Sequence, residues 1–209
     1  LDAGTTLTAT AANDVDMLTS TLDALNNITV EATAGYVNME SVDMTSTAGA
    51  IDIDAQTDAT IAGSTLDSAT DTTVDAATGS IVMESTDVTA GGAARLTAAV
   101  DVDVLDSTID AQDDVTVNAQ GGSVDMTNTT ATSATDVIDI DADQNVDITD
   151  GYLEAELDVE IDAANGYIFI DPTTIISNSG SIIANAATEV DIIDTGMYAG
   201  VDKNVDAGQ

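Results

Sequence analysis

A three-residue pattern, an apolar residue followed by a small or acidic one and then alanine, recurs along the whole chain. Its clearest copy closes the stretch Ile51-Asp52-Ile53-Asp54-Ala55. Self-similarity at one period of about 22 residues, the step between neighbouring copies, is typical of a solenoid. The copies read Leu7-Thr8-Ala9, Val30-Glu31-Ala32, Ile53-Asp54-Ala55, Val74-Asp75-Ala76, Leu96-Thr97-Ala98, Val117-Asn118-Ala119, Ile140-Asp141-Ala142, Ile161-Asp162-Ala163 and Val205-Asp206-Ala207. The copy expected near Ile183 lacks the alanine.

Within each repeat, apolar residues alternate with polar ones. One set of inward-pointing candidates recurs with the same period, one step being a single position shorter, at Met17, Met39, Ile61, Met83, Val104, Met126, Ile148, Ile170 and Ile192. A second set follows five positions later, at Leu22, Met44, Leu66, Val88, Ile109, Ala131, Leu153, Ile175 and Met197. The alternation indicates strands with one buried face, and the abundance of Thr, Val and Ile favours strands over helices.

The sequence therefore predicts an all-β fold, a right-handed parallel β-helix. Each rung of about 22 residues holds three short strands separated by turns of Asn, Asp, Gly, Ser and Thr, and about nine to ten rungs fill the chain. The expected hand is the usual one of parallel crossovers. Residues 1–209 form one repeat domain. A longer, two-rung period of about 44 residues starts near Gly35, Gly79, Gly122 and Gly166, after a partial unit over 1–34.

The chain is strongly acidic. It has 2 Lys plus Arg against 39 Asp plus Glu, which gives a formal net charge of -37. Nucleic acids and anionic membrane surfaces need a basic footprint, so we expect neither as a partner, whereas divalent or monovalent cations are natural counterparts. Membrane insertion is not expected either, because no apolar run approaches the ~18 residues of a membrane span. With 44% hydrophobic residues the chain is too apolar for a disordered acidic tail.

Placing the rungs in register stacks some carboxylates in columns on the outside. The predicted columns are Asp103, Asp125 and Asp147, then Glu31, Asp54 and Asp75, and then Asp141 with Asp162. Like charges directly opposite on neighbouring strands are destabilising. Two interpretations stay open. Either the columns form a solvated acidic face that salt screens, or they bind Ca²⁺, which prefers oxygen ligands.

No feature of the sequence points to catalysis. The chain has no His and no Cys, and its aromatic residues are 4 Tyr and 1 Phe. The run 139–150 has Asp at the first, third, fifth and ninth places of an EF-hand-like loop, but Gln144 replaces the turn glycine and Asp150 the final glutamate. Since Ile140 and Ile148 already belong to strand columns, we interpret the match as coincidence. We expect no enzyme, and no cofactor unless it is Ca²⁺.

Two smaller features bear on the cellular location. The sequons that begin at Asn27 and Asn128 permit glycosylation in a secreted protein. The sequence starts at Leu1 without Met, which suggests a processed protein or a piece of a longer one.

Segments such as Ser123-Val124-Asp125-Met126 and Val159-Glu160-Ile161-Asp162-Ala163 resemble the β-solenoid repeats of filamentous-haemagglutinin-like adhesins and related large bacterial or archaeal surface proteins. The resemblance implies a structural, non-catalytic segment of an extracellular or cell-surface filament or adhesin. Copies are expected to form homo-oligomers or filaments by rung stacking, with acidic outer ladders that bind cations.

A second resemblance is to the repetitive shafts of phage tail fibres and spikes, in which three chains wind together. Asp139-Ile140-Asp141-Ala142 is similar to the phrases found there. Shared rungs relax the closure of each turn, whereas the steps of this chain are nearly constant. The regular step favours one chain that closes its own rungs, and the trimeric shaft is the alternative.

Overall fold

A computed structural model of the chain describes residues 1–208, in which the only regular secondary structure is β-strand. The chain winds through about nine turns of a β-solenoid, and all strand pairs are parallel, which confirms the predicted fold class. The strands are β1 (Asp2–Ala3), β2 (Leu7–Ala11), β3 (Val15–Ala24), β4 (Ile28–Ala32), β5 (Val37–Ser46), β6 (Ile51–Ala55), β7 (Ala59–Ala62), β8 (Thr65–Ser68), β9 (Thr72–Ala76), β10 (Ile81–Glu84), β11 (Asp87–Ala90), β12 (Ala94–Ala98), β13 (Val102–Leu105), β14 (Thr108–Ala111), β15 (Val115–Ala119), β16 (Val124–Thr127), β17 (Thr130–Ser133), β18 (Ile138–Ala142), β19 (Val146–Ala155), β20 (Val159–Ala163), β21 (Ile168–Ser177), β22 (Ile182–Ala186), β23 (Val190–Ile192), β24 (Gly196–Ala199) and β25 (Lys203–Ala207).

Each turn of the solenoid has three walls. In one central turn these are β7, β8 and β9, and the walls that contain them are called here the first, second and third wall. The third wall is a separate sheet of 10 strands, whereas the first two belong to a single sheet of 15 strands. In β3, β5, β19 and β21 the first two walls run on as one ten-residue strand. The three predicted strands are therefore separate in some turns and fused in others.

In every turn described except that of β21, the corner between the first and second walls is a single residue in the left-handed region. Its φ is positive at Thr19, Ser41, Gly63, Ser85, Asp106, Asn128, Asp150 and Asp194. Pro172 occupies the same place in β21, because its neighbours Asp171 and Thr173 pair with Thr149 and Gly151. The left-handed residue interrupts the strand for one position, so the wall changes direction without a loop.

A column of buried hydroxyl groups follows this corner. Ser64, Thr86, Ser107, Thr129 and Thr173 are each at most 4% exposed. The Thr86 hydroxyl donates to the carbonyl oxygens of Ile61, at 3.2 Å, and of Glu84, at 3.0 Å. The backbone N–H of Thr86 donates to the Ser107 hydroxyl at 3.1 Å. The column thus satisfies backbone groups where the corner interrupts strand pairing.

The core consists of apolar columns parallel to the solenoid axis. Met39, Ile61, Met83, Val104 and Met126 are each 0% exposed and stack on successive turns, as the sequence predicts. The alanine at the end of each third-wall strand forms another column, in which Ala55, Ala76, Ala98 and Ala119 pair in register. Each turn therefore buries its apolar residues against the same positions of the next turn.

Two copies of the three-residue pattern were assigned in the wrong register. In the structure Leu7 pairs with Ile28, so the first copy is Ala9-Thr10-Ala11 and not Leu7-Thr8-Ala9. Near Ile183 the copy does keep its alanine, as Ala184-Asn185-Ala186, since Ala163 pairs with Ala186. In both copies alanine stands where the others have a larger apolar residue, and this hid the register.

The turns from the third wall to the first alternate between three and four residues along the whole solenoid. The three-residue turns are 12–14, 56–58, 99–101, 143–145 and 187–189, and the four-residue turns are 33–36, 77–80, 120–123 and 164–167. Gly35, Gly79, Gly122 and Gly166 are the third residues of the four-residue turns. The two-rung period in the sequence thus corresponds to this alternation of turn lengths.

The short turns cap the long ones. Asp14, Asp58, Asp101 and Asn145 end the short turns, and their Oδ1 atoms accept the backbone N–H of the last residue in the next long turn, at 2.9 to 3.2 Å. The glycine beside each donor leaves room for this contact. A Cβ atom on Gly122 would collide with Asp101 Oδ1 and lie 2.6 Å from the carbonyl oxygen of Val100. The glycine and the Asp or Asn below it therefore act as one unit.

We predict that Gly122→Ala lowers the free energy of unfolding by about 1–3 kcal/mol, because the added methyl group overpacks the turn. Gly4→Ala is the matched control, since a Cβ there meets no atom within 4 Å. Chemical denaturation of the two variants and the wild type measures the difference. Equal midpoints for the two variants would contradict the turn geometry.

Candidate functional site

The first wall carries one predicted column of carboxylates. Asp103 pairs with Asp125 and Asp125 with Asp147, so the three stack on successive turns as predicted. Val82 lies next to Asp103 at one end of the column, and Phe169 lies next to Asp147 at the other. Burial and the neighbouring Asp125 raise the pKa of Asp103. Asp103 and Asp147 are therefore half-buried and Asp125 is exposed, and an apolar side chain flanks the stack at each end.

The third wall carries the other two columns. Glu31 pairs with Asp54 and Asp54 with Asp75, and burial, more than the adjacent charges, raises the pKa of Asp54. Further along the same position, Asp141 pairs with Asp162. All eight candidate residues thus lie where the sequence places them. Whether they hold a metal ion stays a prediction.

Two further carboxylates extend the Asp141 pair into a group of four. Asp139 and Glu160 stand two residues before Asp141 and Asp162 on β18 and β20, and they also pair in register. Neither residue was among the carboxylates that the sequence predicted to stack. The sequence could have indicated this group, because β18 and β20 each have two acidic residues separated by one apolar residue.

Asp139 is the most perturbed carboxyl group of this set. Burial, followed by the charges of Asp141 and Glu160, raises its pKa to about 6. Burial and neighbouring charges also raise the pKa of Asp141 and of Glu160. The group of four is thus a place where the folded state tolerates negative charge poorly.

The second wall arranges its charges differently. From β3 to β14, Asp alternates with Thr along its outer face from one turn to the next, so that Asp67 lies between Thr45 and Thr89, and Asp87 lies between Thr65 and Thr108. The two outward positions of these strands alternate out of phase. This checkerboard keeps carboxylates apart on neighbouring strands, and it avoids the repulsion that the other two walls accept.

Some of the acidic residues cap turns or pair with Arg95. The caps Asp14, Asp58 and Asp101 bind backbone N–H groups. Arg95 lies on the third wall, and its guanidinium group reaches Asp71 at 3.9 Å and Asp114 at 3.7 Å. These carboxylates therefore have partners within the protein.

Two tyrosines occupy equivalent places on the first wall. Tyr36 and Tyr167 end four-residue turns, and their hydroxyl groups donate to Asp16 at 3.3 Å and to Asp147 at 3.0 Å. The hydrogen bond from Tyr167 favours the charged form of Asp147 and opposes the effect of burial on its pKa. These tyrosines close turns, and Tyr167 is hydrogen-bonded to the end of a carboxylate column.

The geometry does not produce a closed metal site. Among residues 1–208, no group of three or more Asp or Glu side chains converges in a way that could hold a metal ion. The EF-hand-like run does not form such a loop, because Ile140 and Ile148 are fully buried on adjacent walls. The columns instead offer carboxylates side by side, an arrangement that suits bridging by hydrated cations.

Both sequon asparagines are engaged in the structure. Asn27 Oδ1 accepts the backbone N–H of Ala50 at 3.1 Å. Asn128 is a left-handed corner residue, and its Nδ2 donates to Asp106 Oδ1 at 2.7 Å. Both side chains are exposed, and their glycosylation stays a prediction.

No helix in the described part of the chain is long and apolar enough to cross a membrane. No family model, curated protein or solved structure matches the chain.

We predict that the solenoid gains stability as the pH falls from 7 to 5 at low ionic strength. The pKa of Asp139 in the folded state, about 6, is above its ordinary value, so the folded state binds the proton more tightly than the unfolded state does. Protonation in this pH interval therefore relieves the unfavourable free energy of the charged, partly buried carboxylate. Asp139→Asn removes the charge at every pH. We expect it to raise the unfolding temperature at pH 7 by roughly 2–4 °C and to flatten the pH dependence.

Asp67→Asn is the control for this experiment, because it removes one charge from the checkerboard, where the paired neighbours are threonines. Thermal unfolding followed by circular dichroism measures all three proteins. An equal gain from both substitutions would show that net charge, and not the group of four, sets the effect.

Proposed function

We propose that the chain is a non-catalytic structural segment of an extracellular filament or cell-surface adhesin that binds cations along its acidic columns. The observation that carries the proposal is the unbroken pairing of strands from β2 to β25, which makes one continuous rod. At a strand spacing of ~4.8 Å, about nine turns give a rod on the order of 45 Å long.

The distribution of side chains supports a structural role. The inward columns are apolar along the whole rod, and the outward positions are mainly Asp, Thr and Asn. No His, Cys or cluster of unlike catalytic groups interrupts the repeat. Such a rod separates whatever is attached to its two ends and stays soluble through its charge.

The electrostatic repulsion between stacked carboxylates supports the proposal of cation binding. Three carboxylates in line on the first wall, and four in a group on the third, repel one another in an otherwise regular fold. A cation between neighbouring carboxylates removes this repulsion. Concentrated salt or a divalent ion in the surroundings, as outside a cell, satisfies the requirement.

We predict that antibodies raised against the chain label intact, unpermeabilised source cells or material shed from them. The expected result follows from a structural role at the surface, and immunoelectron microscopy measures it. Labelling that appears only after permeabilisation would overturn the extracellular assignment.

The oligomeric state separates the adhesin segment from the trimeric shaft. Because one chain supplies all three walls of every turn, we expect the mass from light scattering to show no discrete trimer. A trimer that persists on dilution would favour the shaft instead.

We predict that Ca²⁺ raises the unfolding temperature at low ionic strength and that Asp125→Asn reduces this gain. Asp125 is the middle of the first-wall column, so its loss leaves Asp103 and Asp147 two turns apart. Asp87→Asn is the matched control, because Asp87 lies between two threonines. A rise of ~2–4 °C corresponds to about 1 kcal/mol for a domain of this size. Identical Ca²⁺ responses of both variants would contradict binding at the column.

A further inference from the structure

A cleft on the outside of the first wall combines aromatic rings with carboxylates. Its volume is about 410 Å³, which lies within the range of sites for small molecules. The lining residues come from three successive turns and are Asp147, Tyr167, Ile168, Phe169, Glu189 and Asp191. The two rings, of Tyr167 and Phe169, distinguish this cleft from the columns that consist of carboxylates alone.

Phe169 lies between two of these carboxylates. It pairs in register with Asp147 on one adjacent turn and with Asp191 on the other, and its side chain faces outward because both of its strand neighbours are fully buried. Tyr167, two residues earlier, is 39% exposed, and its hydroxyl group donates to Asp147 Oδ2 at 3.0 Å. Both rings therefore line one outer face, with a carboxylate on the turn to either side.

The fold does not require an aromatic residue at the position of Phe169. Tyr36 occupies the place equivalent to Tyr167 in an earlier turn. Two residues after Tyr36 the chain has Asn38, whose Nδ2 donates to Asp16 Oδ1 at 3.2 Å. Phe169 is the single phenylalanine of the chain, at a position that most other turns fill with Asp, Asn or Thr. This choice of residue points to a ligand, because a polar side chain serves the fold equally well.

The surroundings of Phe169 favour a cation that has an apolar surface. The paired carboxylates lie about one strand spacing, ~4.8 Å, to either side of it and attract positive charge. Ca²⁺ takes oxygen ligands and a primary ammonium group is strongly hydrated, so both gain less from an aromatic ring. A quaternary ammonium group can place its methyl groups against the rings, and the ring faces attract its charge.

We propose that this cleft binds a small soluble molecule with a quaternary ammonium group, held by the rings of Tyr167 and Phe169 and by the carboxylates of Asp147 and Asp191. The volume of the cleft suits one small molecule. The cleft lies on a lateral wall, so it does not depend on what stacks on either end of the solenoid. The proposal rests neither on the extracellular role nor on Ca²⁺ binding, and each of these can fail alone.

The test uses tetramethylammonium chloride as the probe and sodium chloride as the reference, at the same ionic strength, so that general screening by salt is equal. Because the chain has a single phenylalanine, selective labelling of phenylalanine gives NMR ring signals of Phe169 alone. In the variants, saturation transfer from the protein to the methyl protons of the probe measures binding.

The variants separate the ring from the charge. Phe169→Thr removes the ring and keeps every carboxylate. Val82→Thr is its matched control, because Val82 lies in the same outward column and is also next to an aspartate, Asp103. Asp191→Asn removes one carboxylate of the cleft, and Asp67→Asn on the second wall removes an equal charge elsewhere. Circular dichroism verifies that all four variants keep the solenoid.

We expect tetramethylammonium to cause saturable shifts of the Phe169 ring signals and sodium to cause none. Phe169→Thr weakens binding by about fivefold or more, the scale of one cation–π contact, and Val82→Thr leaves it unchanged. Asp191→Asn weakens binding more than Asp67→Asn does. Equal responses of the ring to the two salts would show general attraction of counterions and overturn the proposal. Equal affinities of Phe169→Thr and Val82→Thr would overturn it as well.

Discussion

Parallel, in-register pairing of each turn with the next is the constraint on which the whole molecule depends. Backbone hydrogen bonds run along the axis, so each paired strand residue lies directly over its counterpart one repeat away. A residue type that suits one turn is therefore repeated as a column. Apolar columns become a continuous core, hydroxyl columns line a corner, and carboxylate columns become ladders. The favourable and the costly features of this protein have the same origin.

The acidic residues fall into groups with different physical roles. Some cap turns, as Asp101 does, and some alternate with threonine on the second wall, as Asp67 does. Others, such as Asp125 and Asp139, stand beside like charges. A net charge of -37 taken as a whole suggests only solubility and salt. The columns on the first and third walls are the basis of the proposed cation binding, because only there does the fold accept repulsion that its own second wall avoids.

The fold and the columns were predictable from the sequence because register in a solenoid follows from period alone. The stack of Asp103, Asp125 and Asp147 needed only the constant step between rungs. The predicted register was wrong at Ala9 and Ala184, because alanine replaces there the larger apolar residue that identifies the position in the other copies. The partnership between each turn glycine and the Asp or Asn below it was missed, because it joins two turns of unequal length and appears only in three dimensions.

The alternation of three- and four-residue turns gives the edge between the third and first walls a toothed profile. Each longer turn has a shorter one above and below it, so successive long turns lie two rungs, or ~9.6 Å, apart along the axis. A peptide inserted into one long turn is therefore ~9.6 Å from the nearest other long turn, whereas adjacent strands are ~4.8 Å apart. Sequence added at these long turns therefore meets less crowding than it would at every rung, and the solenoid can acquire loops there without a change in its core.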